Sequence, residues 1–301
     1  MPIISKTTPS SKASKPVRQQ NFTKPPSVLD RIKNIGFDPN EGLSVLVYGQ
    51  SGSGKTTFAA TFPKPILWIL CSGGKRPGEL RSIDTPEYQD VIQNVTLEAS
   101  TEMKELLEYQ QKEQQYKTVV LDHVTGFQDL ILCEILGLDE LPAQKSWGMA
   151  QQQQYGQCTM QAKEYLRAFL NLKCNRVIIG QERSNKTEGE SELIAPNVGA
   201  ALMPSLAGWL NPACDYIVHT RKRRKEKVTY NTIGSGKQMQ KVEVRTPLRG
   251  VDYYLLTGGD EVYTTKFRVP KNRTLPHMIK DPDYDKLLGI IKGEYKGKDD
   301  E

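Results

Sequence analysis

The stretch Gly49-Gln50-Ser51-Gly52-Ser53-Gly54-Lys55-Thr56-Thr57 constrains this chain more than any other, because it matches G-x-x-x-x-G-K-[ST] at every fixed position. An apolar run over residues 43–48 precedes it and a helix-compatible segment over 56–61 follows, the strand–loop–helix setting that such a loop needs. Glycines at 49, 52 and 54 let the backbone curl with its N–H groups turned inward, so an anion concavity is expected at the start of the helix. Lys55 is placed to reach β- and γ-phosphates, and the Thr56 hydroxyl to complete the shell of a magnesium ion. The spacing therefore predicts a nucleoside-triphosphate site on an α/β scaffold.

Other segments fit that scaffold. Residues 66–70 read as a buried strand after a proline-marked stop at Pro63 and Pro65, residues 101–114 as an amphipathic helix, and 116–122 as a further strand. The latter ends in Val119-Val120-Leu121-Asp122, and an aspartate there is expected to orient magnesium and its water from the end of a neighbouring strand. Residues 125–137 read as a helix, and 147–172 as a long glutamine-rich helical stretch interrupted around Tyr155-Gly156. A strand over 176–180 ends in Gln181-Glu182-Arg183, followed by a polar loop over 184–192, a helix over 200–209 and a strand over 215–220. Strands alternating with helices imply a mostly parallel sheet with right-handed crossovers and a ligand crevice outside the strand C-termini. The phosphate loop, residues 71–74, Asp122 and Gln181 all fall at such ends.

From residue 221 the pattern changes. Arg221-Lys222-Arg223-Arg224-Lys225 is a dense cationic run, and alternating segments at 228–230, 241–246, 251–257 and 262–269 read as antiparallel strands, a hairpin extension over 221–270. Residues 281–291 read as a closing helix and 293–301 as a charged tail. Residues 1–29 carry Lys6, Lys12, Lys15, Arg18 and Lys24 with no acid, and read as a disordered basic arm that serves either as a solubilising tail or as a contact for nucleic-acid phosphates. The core domain is expected over 30–292. Five scattered cysteines without a C-x-x-C pair argue against a disulfide framework or zinc site. That cysteine usage suits a reducing cytoplasm, and no apolar run is long enough to suggest membrane insertion.

Taken together, the phosphate loop with its following Thr-Phe-Pro-Lys-Pro, Val119-Val120-Leu121-Asp122, Val177-Ile178-Ile179-Gly180-Gln181 and Lys271-Asn272-Arg273 resemble the RecA-like P-loop ATPases. Within these, they resemble the small phage-encoded group that works with single-strand annealing and single-strand-binding proteins. The resemblance covers roughly residues 40–292. It implies ATP and Mg²⁺ as ligands, a RecA-like P-loop NTPase sheet, and assembly as a ring or filament on single-stranded DNA in a bacterial or phage-infected cytoplasm. It implies that Gln181 senses the γ-phosphate and that 184–197 forms a DNA-binding loop. It also implies that Lys271 and Arg273 reach into a neighbouring subunit's site, although a solvated surface loop explains them equally. The resemblance breaks at Cys71-Ser72, where such proteins carry an acid that activates water; Glu182 and Glu79 are the substitutes on offer. His123, after the magnesium aspartate, is expected to be a hydrogen-bonded structural residue.

Three functions follow. A DNA-stimulated ATPase would use 221–225, the basic arm and the 184–197 loop as its cationic surfaces. A small-molecule kinase would need a lid segment that the sequence does not provide after its third strand. A nucleotide-gated scaffold with little turnover gains from Cys71-Ser72.

Overall fold

The computed structural model describes residues 42–71, 80–139, 150–185, 197–233, 240–270 and 273–295. The basic arm, Ser72 and Glu79, residues 186–196 of the predicted DNA loop, Lys271 and residues 296–301 of the charged tail therefore lie outside the described residues. The described residues fall within one compact unit, Asp38–Glu301.

Its centre is a parallel sheet made of β1 (Ser44–Gly49), β2 (Ile66–Leu70), β3 (Ile92–Thr96), β4 (Thr118–Asp122), β5 (Asn175–Asn185) and the first part of β7 (Tyr216–Ile233). Antiparallel additions complete it: β6 (Asn197–Ala200) on β5, β8 (Gln240–Leu256) and β9 (Lys266–Phe267) on β7, and β10 (Met278–Lys280) on β8. Among the described residues the sheet has ten strands, in the order β10-β8-β7-β1-β5-β4-β2-β3 with β6 and β9 at its side. Strand β1 is buried along its whole length, as expected of a parallel strand covered on both faces.

The pleat sends alternate residues to two cores. Leu46 and Tyr48 pack with Ile69, Leu121, Ile178 and the apolar faces of α3 (Glu102–Glu113), α4 (Val124–Leu136), α5 (Gln152–Leu170) and α6 (Pro204–Ala213). Val45 and Val47 pack with Trp68, Val120, Ile179 and with Phe58 and Leu287 of α1 (Lys55–Ala60) and α7 (Tyr284–Lys292), while the single-turn α2 (Pro86–Gln89) leads into β3. The phosphate loop thus enters a helix wedged between the sheet and α7, where Phe62 meets Tyr284 with ring centroids 4.9 Å apart.

The structure corrects four expectations. Strand β4 does not neighbour β1, because β5 lies between them. Helix α5 runs without a break through Tyr155 and Gly156; that stretch is exposed, so the glycine costs propensity without opening a gap. Ser184 and Asn185 belong to β5, because pairing with β6 prolongs the strand beyond Gly180. The cationic run lies inside β7, and the hairpin is one long ribbon of two strands, of 18 and 17 residues, instead of several short ones.

Candidate nucleotide site

The phosphate loop has a shape that only its glycines permit. Gly54 holds φ +95°, and a methyl group on Gly49 would run into the Thr220 backbone carbonyl. From the neighbouring strand, Thr220 Oγ1 meets Ser53 Oγ at 2.6 Å and donates to the Tyr48 carbonyl at 3.3 Å, which fastens the loop to β7. Lys55 Nζ donates to the carbonyls of Gly49 and Gln50, each at 2.8 Å, so its ammonium lies at the mouth of the loop. Burial lowers the pKa of this lysine, while the carboxylates of Asp122 and Glu182 push it back up. A lysine desolvated between two acids is a cation in want of a stronger anion.

Strand register gathers the remaining groups. Gly49 pairs with Gln181 on one side and with Thr220 on the other, and Asp122 pairs with Ile179, two residues before Gln181. Asp122 Oδ2 accepts from Trp68 Nε1 at 3.1 Å, which fixes the carboxylate from the adjacent strand. His123 N-caps α4 by accepting the Gly126 N–H on Nδ1 at 2.8 Å. Its neutral ring therefore carries its proton on Nε2, which stands 3.1 Å from the Gln181 side-chain amide. The amide faces the ring with its Nε2; a donor at His123 Nε2 is satisfied only with the amide turned over, its oxygen accepting and its –NH₂ directed away from the ring. His123 is thus the hydrogen-bonded structural residue expected, and it also joins the aspartate motif to the glutamine.

Among the described residues no group of three or more acidic, histidine or cysteine ligands could form a protein cage for a metal. Two hard oxygens, the Thr56 hydroxyl and the Asp122 carboxylate, fit a magnesium ion of the kind that completes its shell with water and phosphate oxygens.

Glu182 is held from two sides. Its Oε2 lies 2.8 Å from His219 Nε2 and its Oε1 accepts from Gln50 Nε2 at 3.3 Å. The His219 side chain is only 3% exposed, stacked on Tyr263 at 4.1 Å between centroids, and its Nδ1 has no hydrogen-bond partner. Burial lowers its pKa and the bond to Glu182 raises it in part, so the ring rests neutral and donates to the carboxylate. Cys71 is buried and offers no carboxylate. Sequence reasoning missed His219 and Trp68: each reaches the site across strands, and neither sits in a recognisable motif.

Residues 41–268 match the AAA domain family, well over half of the chain. The chain belongs to the AAA-domain family. No curated protein matches. Membership agrees with the geometry in pointing to a nucleotide-binding, ATPase-type P-loop domain. No helix among the described residues is long and apolar enough to cross a membrane.

Within this AAA domain the cationic run does not act as one patch. Strand alternation sends Arg221 and Arg223 to one face, over the rings of Tyr263 and Tyr254 at 6.0 and 5.4 Å, and Lys222 to the other. There Lys222 reaches the phosphate loop, 3.5 Å from where a Cβ on Gly52 would stand. Arg224 pairs with Val251, and Lys225, at the bulge, lies 3.7 Å from Asp252. Arg273 is engaged elsewhere. Its guanidinium donates to the Ile291 carbonyl at the end of α7, and its charge acts on Tyr216, which pairs with Val45 at the edge of the sheet opposite the loop.

Proposed function

We propose that this chain is an ATP hydrolase that assembles as a homo-oligomer on single-stranded DNA, in the manner of the phage-type recombination ATPases that its motifs resemble. The observation that carries the reading is the register that brings Gly49, Gln181 and Thr220 side by side, with Asp122 beyond Gln181, at one edge of a parallel sheet. In this reading the loop N–H groups and Lys55 bind the phosphates, and Thr56 and Asp122 hold the magnesium ion. Held there, a magnesium ion would neutralise charge developing on the phosphoryl oxygens. Gln181 presents its –NH₂ toward the crevice, and Glu182, fixed by His219, is the carboxylate available to orient and deprotonate water.

DNA enters through the ribbon, where Arg221, Arg223, Arg224 and Lys225 offer cations beside Tyr254. Lys271 remains the candidate for a cation supplied to a neighbouring subunit. Arg273 is better explained as the C-terminal cap of α7, where a cation and a donor are both favourable. Phosphate release measured with and without single-stranded DNA tests the reading: stimulation by DNA is expected, and equal rates would contradict the DNA role.

A second reading, a nucleotide-gated scaffold with little turnover, is favoured by one observation. Both oxygens of Glu182 already have partners, so freeing one for water requires Gln50 or His219 to yield. Tight ATP binding without phosphate release would select it.

A further inference from the structure

The root of the ribbon reaches into the phosphate loop. Lys222 and Tyr253 stand opposite one another in the β7–β8 register, so their side chains share a face. That face meets the loop at its two left-handed glycines. A Cβ on Gly52 would lie 3.5 Å from Lys222 Nζ, and one on Gly54 would lie 3.1 Å from Tyr253 Cδ1. The cavity beside the loop, about 540 Å³, runs along Ser51, Gly54 and Thr57 and is walled by Tyr253, Asp281 and Ser82. Its size suits a nucleotide-sized ligand.

Both groups are positioned and unspent. Tyr253 is 39% exposed although it lies in a paired strand, and its backbone carbonyl accepts the Asp281 N–H at 2.8 Å, which holds the ring at the cavity wall. Asp252, next to it, takes Lys280 at 3.0 Å and Lys225 at 3.7 Å. Among the described residues Lys222 has no carboxylate partner, whereas Arg221 and Arg223 turn to the far face.

We propose that Lys222 and Tyr253 are nucleotide-site residues supplied by the ribbon of the same chain, Lys222 as a second phosphate cation beside Lys55 and Tyr253 as the wall against which the nucleobase packs. A bound nucleotide then fastens the ribbon's root to the phosphate loop, and the ribbon becomes the element through which nucleotide and polyanion influence one another. By linkage, any polyanion that binds better to the fastened ribbon tightens nucleotide binding by the same factor. The inference rests on the reading of this cavity as a nucleotide site.

The test uses the full chain, with ATP and ADP affinities measured by displacement of a fluorescent nucleotide and amide hydrogen exchange followed over residues 221–224 and 251–254. Lys222→Ala is expected to weaken ATP roughly tenfold and ADP less, the scale of a single charge-assisted hydrogen bond to phosphate. Tyr253→Ala should weaken both nucleotides alike, by several-fold, and Tyr253→Phe should restore them, since the ring and not the hydroxyl packs on the base. Nucleotide should slow exchange at the ribbon root of the wild type and fail to do so in Lys222→Ala. If Lys55→Ala weakens binding while both ribbon variants bind like the wild type and ribbon exchange ignores nucleotide, the ribbon's role is overturned and the phosphate-loop site stands. If Lys55→Ala itself binds like the wild type, the nucleotide site is wrong and this inference falls with it.

Discussion

At the scale of single residues, the chemistry rests on side chains held by partners distant in sequence. The phosphate loop, Asp122 and Gln181 were legible because each sits in a short motif whose residue types the chemistry demands. His219, Trp68 and the position of Lys222 were not, because strand register decides where they point and no local pattern records it. The buried His219 makes a pH prediction. Its pKa in the fold lies below the ordinary 6.5, so between those two values the unfolded chain binds more protons than the folded one. Stability should therefore fall as pH drops through 6.5 toward the folded value. Thermal melts from pH 8 to 5 are expected to show that loss in the wild type and a shallower one in His219→Phe; parallel curves would remove the histidine from the account. Gly54→Ala forces a left-handed φ on a residue with a Cβ and presses it on Tyr253. It should cost about 1–2 kcal/mol in a denaturant titration, and an unchanged midpoint would show that the loop relaxes freely.

At the scale of elements, the ribbon is the feature that most exceeds its sequence signal. Alternation marked residues 228–230 and 251–257 as strands, but a run of five cations looks like a loop or a solvated face, and only pairing with β8 shows that it continues a central strand. At about 3.3 Å per residue the stretch from 221 to 233 extends on the order of 40 Å, a length at which an isolated two-stranded ribbon is marginal in water. It carries exposed Tyr230, Val228 and Val244 along with its cations, a composition suited to a polyanion that also offers flat rings. Replacing Arg221, Arg223 and Arg224 by alanine is expected to weaken single-stranded DNA binding and to flatten the log–log salt dependence, by about one unit for each phosphate that is no longer neutralised. An unchanged slope would move the DNA surface off the ribbon. Parallel strands β2 and β4 were read to within two residues, since fully buried strands show as continuous apolar runs; β3, mostly polar and exposed, gave no such run.

At the scale of the whole molecule, the C-terminal ends of the parallel strands collect the phosphate loop, Asp122, Gln181 and the ribbon's root, and family membership agrees that the domain is of ATPase type. The opposite ends of the strands hold Arg273 against α7, so in the proposed hydrolytic reading the further cation comes either from Lys222 of the same chain or from Lys271 of a neighbour. A Lys271→Ala chain, alone and mixed with a Lys55→Ala chain, distinguishes the two sources: phosphate release recovered in the mixture when neither chain is active alone shows a shared site, and normal release by Lys271→Ala alone shows a site complete within one chain. All of this depends on ATP binding at the phosphate loop. Calorimetric titration of ATP with magnesium into the wild type and into Lys55→Ala, both shown to be folded by circular dichroism, tests it most directly. The account predicts one site per chain in the wild type and binding weakened at least about tenfold in the variant, the scale of one charge-assisted hydrogen bond to phosphate. Equal affinity in the two proteins would contradict it.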